Sequence, residues 1–141
     1  MLRFVLVFTM FFILSSSWAQ EKYLFVELIP TQHTDDAVIK DYKVAVTTQE
    51  GVSFEIEVTK KKASFYLPPG EKYTVEIIKE NFHTFFYSID LRDVPEAMRE
   101  NNKQELFLAP KLLSAKVDKP VPFVKYQYNN RYKKVVLSSL E

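Results

Sequence analysis

Residues 42–59 read YKVAVTTQEGVSFEIEVT, and this stretch decides the fold class. Apolar and polar side chains alternate on both sides of Gln49-Glu50-Gly51, and many of the apolar ones are β-branched or aromatic. The apolar positions are Tyr42, Val44, Val46, Phe54, Ile56 and Val58. A period of two with these residue types is typical of strands that bury one face. The stretch therefore predicts two strands joined by a turn at Gly51.

The same spacing recurs along the rest of the chain. Further strands are predicted at residues 23–29, 63–67, 72–79, 82–91, 105–110, 123–128 and 131–138. Asn129-Asn130 favours a tight turn that pairs the last two strands, because asparagine tolerates positive φ. The one helix is predicted from Asp93, which can cap it, to Asn101. About eight or nine strands at regular spacing indicate a β-sandwich.

One predicted strand departs from simple alternation. Phe85-Phe86-Tyr87 places rings on both faces of the strand at residues 82–91. A strand with apolar residues on both faces is expected to be covered on both sides.

The amino terminus has the layout of a secretory signal peptide. Arg3 precedes an apolar run from Phe4 to Leu14, and Ser17 and Ala19 are small residues at the two positions that a signal peptidase reads before the cleavage expected after Ala19. The apolar run is too short for a membrane-spanning helix. Residues 1–19 are therefore predicted to be removed, which leaves residues 20–141 as one exported domain, periplasmic, secreted or at the cell surface.

Composition removes several classes of function. The chain has no cysteine, so disulfides, thiolate metal sites and cysteine nucleophiles are excluded. An exported domain of this size without disulfides favours a bacterial envelope. Residues 20–102 carry 10 Lys+Arg against 15 Asp+Glu, whereas residues 103–141 carry 8 against 3. This asymmetry fits either complementary faces of one fold or contact with an anionic surface.

Residues 38–91 resemble the transthyretin-like sandwich of carboxypeptidase regulatory-like domains, which are common in exported Bacteroidota proteins. The resemblance is carried by Tyr42-Lys43-Val44-Ala45-Val46, by Phe65-Tyr66-Leu67-Pro68-Pro69-Gly70-Glu71-Lys72-Tyr73, and by Asn81-Phe82, where the family usually has a glycine and an aromatic residue. In the middle motif, Leu67 fills the core, Pro68-Pro69-Gly70 reverses the chain, and Tyr73 returns to the core. The resemblance implies an antiparallel, transthyretin-like sandwich of about seven to nine strands with one short helix.

Residues 104–141 form a C-terminal hairpin extension beyond that resemblance. Leu108-Ala109-Pro110 and the Pro-Val segment at residues 119–126 resemble a tail that follows such domains in secreted Bacteroidota proteins. This second resemblance implies an accessory role in the envelope or in secretion. A fold resemblance alone says little about function.

Few residues in the sequence indicate a catalytic, metal-binding or nucleotide-binding site. His33 lies near Asp35 and Asp36 without recognised ligand spacing, and His83 is distant in sequence, so no metal or other cofactor is predicted. The chain has only two glycines, which excludes a nucleophile elbow and a phosphate loop. Glu55 and Glu57 share a face that is expected to be wet. The chain is predicted not to be an enzyme and not to bind nucleic acid.

Aromatic and basic residues cluster near the C-terminus. The predicted partner-binding patch consists of Tyr126, Tyr128, Arg131, Tyr132, Lys133 and Lys134, with Lys125 beside it. Such a patch suits a protein partner in the envelope, a glycan or the outer membrane surface. The alternative is that most of these rings fill the core of a domain without disulfides.

The favoured hypothesis is a non-enzymatic binding or structural module that acts through sheet edges and loops. Its candidate edges are the terminal strand at residues 131–138 and the first strand at residues 23–29. A carbohydrate-binding module, and a small hydrolase or inhibitor that uses the loop at residues 31–40, remain as alternatives.

Overall fold

The computed structural model of the protein describes residues 22–99 and 104–140. The predicted signal segment, residues 1–19, and the predicted helix end at residues 100–101 lie outside these ranges. None of the described helical residues forms a helix long and apolar enough to span a bilayer.

Within these ranges the chain forms eleven strands and one short helix. In chain order they are β1 (Leu24–Leu28), β2 (Thr31–Gln32), β3 (Tyr42–Thr48), β4 (Ser53–Val58), β5 (Ala63–Leu67), β6 (Lys72–Ile78), β7 (Phe85–Asp90), α1 (Glu96–Arg99), β8 (Gln104–Leu108), β9 (Lys111–Leu112), β10 (Phe123–Asn129) and β11 (Lys134–Leu140). The predicted all-β sandwich with a short helix is confirmed. The count exceeds nine because β2 and β9 are two-residue strands, too short to show a period.

The longer strands form two sheets. One has the order β5-β1-β8 and the other the order β11-β10-β7-β6-β3-β4, while β2 and β9 pair separately. Among the described strands, five pairs are antiparallel, as the sequence predicts, and three are parallel, namely β1 with β8, β7 with β10 and β2 with β9. Parallel neighbours need a long crossover, and residues 91–122 supply one between β7 and β10.

The core lies between the two sheets. The alternating apolar residues of β1, β3 and β6 point inward together, as the period of two predicts. They join one hydrophobic cluster with the inner faces of β5, β7 and β10. Burying each such side chain contributes about 1.5–3 kcal/mol, and this term holds a domain that has no disulfide.

The turn at Pro68-Pro69-Gly70 has the predicted form. Gly70 takes a φ of 94°, which a residue with a Cβ rarely adopts. Leu67 and Tyr73 on either side are fully buried, and the Tyr73 hydroxyl donates a 2.7 Å hydrogen bond to the Pro68 carbonyl. The tyrosine therefore fills the core and also holds the turn that precedes it.

The outer face of β7 is covered only in part, which corrects the expectation of a strand covered on both sides. Phe85 and Tyr87 are buried between the sheets, but Phe86 lies on the outer face and is 37% exposed. Its ring meets the Phe123 ring edge-on at 6.4 Å. The extra ring thus reflects an aromatic pair on the surface and not a second covering layer.

The C-terminal hairpin is confirmed, but its turn works differently from the prediction. β10 and β11 pair in antiparallel fashion, with Asn129 opposite Lys134 next to the turn. The Asn129 side-chain oxygen accepts the backbone N–H groups of Arg131 at 2.9 Å and Tyr132 at 3.2 Å. The positive φ falls on Lys133, at 53°. Asn129 therefore acts as a hydrogen-bond acceptor in a longer loop.

Candidate functional site

Tyr128 does not belong to a surface patch. It is 3% exposed and packs in the core on the inner face of β10, which corrects the expectation for this residue. The reason is the strand period: Val124, Tyr126 and Tyr128 all face the opposite sheet, whereas Lys125 and Gln127 face outward.

The other patch residues fall in two places. Tyr126 is half-buried on the inner face, with its ring 6.2 Å from that of Tyr87. Arg131, Tyr132, Lys133 and Lys134 are exposed at the turn and at the start of β11. The Arg131 guanidinium lies 5.8 Å from the centre of the Tyr132 ring. The structure therefore brings together the four hairpin residues but separates them from both strand tyrosines.

The sheet edges differ in part from those predicted. β11 ends the six-stranded sheet within the described chain, as expected of the terminal strand. β1 is not an edge, because it pairs with β5 on one side and with β8 on the other. The edges of the three-stranded sheet are β5 and β8.

An apolar groove opens between β8 and β11. β8 is an edge of the three-stranded sheet, and β11 is an edge of the six-stranded sheet. The groove has a volume of about 620 Å³. The buried side chains of Phe85, Tyr87 and Val124 form its floor. Phe107 and Leu137, at 58% and 57% exposure, line it from the two facing strands.

The wall of the groove is the connection at residues 109–122. Ala109, Leu113 and Val121 line it, together with prolines. His83 anchors this connection: its backbone N–H donates to the Leu113 carbonyl, and its Nε2 lies 2.8 Å from the Val117 carbonyl. Asn81, at a φ of 68°, accepts the N–H of Ala115. His83 is thus a structural contact of the wall.

Gln104 joins β8 to β11. Its amide nitrogen donates to the Lys133 carbonyl at 2.8 Å, and its amide oxygen accepts the Val135 N–H at 2.9 Å. The side chain therefore satisfies backbone groups at the start of the β11 edge.

We expect Gln104→Ala to lower the free energy of unfolding by about 1–2 kcal/mol, because it removes two hydrogen bonds. The amide protons of β11 should also exchange faster, which hydrogen-exchange mass spectrometry would measure. Gln127→Ala, on the exposed face of β10, is the control and should change neither quantity. Equal effects from both variants would contradict the bridging role.

The polar groups that line the groove are basic or neutral. They include His33, Lys111 and Lys119, and no carboxylate lines the groove in the described residues. Lys111 pairs with Asp36 at 3.0 Å, whereas no ion pair is found for Lys119 within residues 22–99 and 104–140. Burial raises the pKa of both Tyr87 and Tyr126, so their phenols stay neutral over the ordinary pH range.

Buried tyrosines also make stability sensitive to alkali. Burial raises the pKa of Tyr23 and Tyr42 from 10.0 to about 12. The unfolded chain ionises first, so their contribution to stability is complete below pH 10 and is lost as the pH rises to about 12. We expect the melting temperature to fall steeply across this window, with a further rise in tyrosinate absorbance when unfolding exposes the buried phenols. A flat melting temperature would contradict the burial of these phenols.

The residues considered for metal binding or catalysis stay apart. His33 is exposed beside the groove, and His83 is tied to the wall. No group of three His, Asp or Glu side chains in the described part of the chain is arranged to hold a metal ion. Glu55 and Glu57 are exposed on β4, and Glu55 pairs with Lys43 at 3.5 Å.

Sequence reasoning missed the groove. Alternation places Phe107 and Leu137 on predicted strands but gives no indication that these strands border a common groove. The one available signal was the Pro120-Val121-Pro122 segment, because closely spaced prolines hold a chain extended and stiff. The sequence does not indicate which strands lie beside this segment.

Comparisons with known proteins are sparse. No family model matches the chain, and no curated protein matches its sequence. One solved structure, that of S.CueP, is similar with a TM-score of 0.40 and 18% sequence identity. The match covers 62% of this chain and 62% of that chain.

Proposed function

We propose that this chain is an exported, non-enzymatic binding module of the bacterial cell envelope, and that it binds its ligand in the groove between β8 and β11. The proposal depends on one observation: an apolar groove whose floor is formed by Phe85, Tyr87 and Val124 and whose sides carry the exposed Phe107 and Leu137. Small-molecule sites are concave, mostly apolar and about 300–1,000 Å³ in volume, and this groove lies within that range.

Export and an envelope location are part of the proposal. Their support is the signal-like layout of residues 1–19 and the lack of cysteine. A carboxypeptidase regulatory-like relationship is proposed on the Leu67 to Tyr73 motif. Asn81 adds support, because it takes a φ of 68° at the position where that family usually has glycine.

Binding of a neutral apolar probe tests the proposal. N-phenyl-1-naphthylamine should fluoresce more strongly with the purified protein, because the dye brightens when it leaves water. Ala109→Trp should abolish the increase, since Ala109 is an exposed residue that lines the groove. Ala97→Trp, at an exposed position on α1, is the matched control and should keep it. No increase, or equal loss in both variants, would overturn the proposal.

A protein partner at the β11 edge is the second candidate. β11 ends its sheet, and Leu137 is exposed on it beside the basic residues of the hairpin turn. An edge strand can accept an added strand from a partner. A photo-reactive residue at Ser138 should crosslink a discrete partner in the native host, whereas one at Glu57 on the opposite edge strand should not. Equal crosslinking at both positions would contradict a role specific to β11.

A further inference from the structure

We propose that the ligand of the groove is an apolar chain that ends in a carboxylate, as in a fatty acid. This inference rests on the proposed function, since it names the class of ligand for the same site. It is carried by the combination of an apolar floor with a basic lining.

The body of the ligand follows from the floor and the two facing strands. Phe85, Tyr87 and Val124 present buried apolar surface, and Phe107 and Leu137 extend that surface outward from β8 and β11. An apolar chain laid between these strands would cover the two exposed side chains and remove their surface from water. A sugar carries many hydroxyl groups and would find few hydrogen-bond partners for them in a mostly apolar lining.

The head group follows from the charges. His33, Lys111 and Lys119 line the groove, and no described carboxylate lies among the lining residues to oppose an anion. Lys111 is engaged by Asp36, so Lys119 is the ammonium available to a ligand. Its flexible stem lets the charge follow the head group.

A single negative charge fits this lining better than a double one. One available ammonium compensates one carboxylate, whereas a phosphate monoester would bring a second charge into an apolar groove. Among the described residues, the lining has no arginine, the residue that binds phosphate in a bidentate manner. The neutral phenols of Tyr87 and Tyr126 add hydrogen-bonding capacity without repelling an anion.

Titration calorimetry with dodecanoate and its uncharged methyl ester tests the inference. The purified protein should bind the acid at least about tenfold more tightly than the ester, a difference of about 1.4 kcal/mol. Lys119→Gln should reduce this preference to less than about threefold. Lys116→Gln should keep it, because Lys116 is an exposed lysine of the same connection that does not line the groove.

The contrary outcomes distinguish a failure of the carboxylate inference from a failure of the groove as a binding site. Equal affinity for acid and ester, with both lost in Ala109→Trp, overturns the carboxylate inference and leaves the groove as a binding site. Tighter binding of dodecyl phosphate than of dodecanoate also overturns it, in favour of a phosphate head group. Binding of the neutral dye without binding of either dodecanoyl compound overturns it as well.

Discussion

Replacing Leu67 by alanine is expected to lower the free energy of unfolding by about 2–5 kcal/mol. Leu67 is 0% exposed at the end of β5, directly before the Pro68-Pro69-Gly70 turn. The substitution removes buried methyl groups, and the rigid turn limits how far the neighbouring chain can close the cavity. Urea denaturation followed by circular dichroism would measure the change.

Leu137→Ala is the matched control for this substitution. It removes the same atoms from a side chain that is 57% exposed, so the loss should stay below about 1 kcal/mol. Equal losses of unfolding free energy in the two variants would contradict the assignment of Leu67 to the core. The loss expected for Leu67→Ala is a large fraction of the whole, because domains of this kind have a total stability of about 5–15 kcal/mol.

Tyr128→Ala is expected to lower the free energy of unfolding by about 3–5 kcal/mol, the range for large buried aromatic side chains. Tyr132→Ala, at an exposed ring of the hairpin turn, should change it by no more than about 0.5 kcal/mol. Thermal melting of the two variants gives the comparison. An unchanged free energy of unfolding in Tyr128→Ala would instead support the surface position predicted from the sequence.

Tyr128→Phe separates the contribution of the ring to stability from that of the hydroxyl. The buried hydroxyls of Tyr128 and Tyr23 have no hydrogen-bond partner among the described residues. Removing a buried hydroxyl that lacks a partner removes its desolvation cost, so Tyr128→Phe should be neutral or stabilising. A loss comparable to that of Tyr128→Ala would show that the hydroxyl makes an essential hydrogen bond.

The strands were predictable because their information is local. In β3 and β5 the alternation of side chains defined both ends, and β6 differs from its prediction by one residue. The turn at Gly70 was equally predictable, since proline fixes φ and glycine permits positive φ wherever they occur. The short strands β2 and β9 were missed because two residues cannot display a period.

The candidate site was predictable only in part. The sequence placed basic and aromatic residues at the C-terminal hairpin, and four of the six patch residues are indeed exposed there. It misassigned Tyr128, because an aromatic residue next to lysines looks the same in a core strand and in a surface patch. The roles of Gln104 and His83 depend on backbone groups about 30 residues away, which no local pattern reports.

By itself, the sequence determined that the chain is an all-β domain held without disulfides, because a hydrophobic period of two specifies which face of each strand is buried. Only the tertiary structure decided which strands become neighbours: that β1 is central, that β7 and β10 run parallel, and that β8 and β11 leave a groove between them. The physical reason is that alternation selects a face but not a partner, and pairing between distant strands is settled by how the whole core packs.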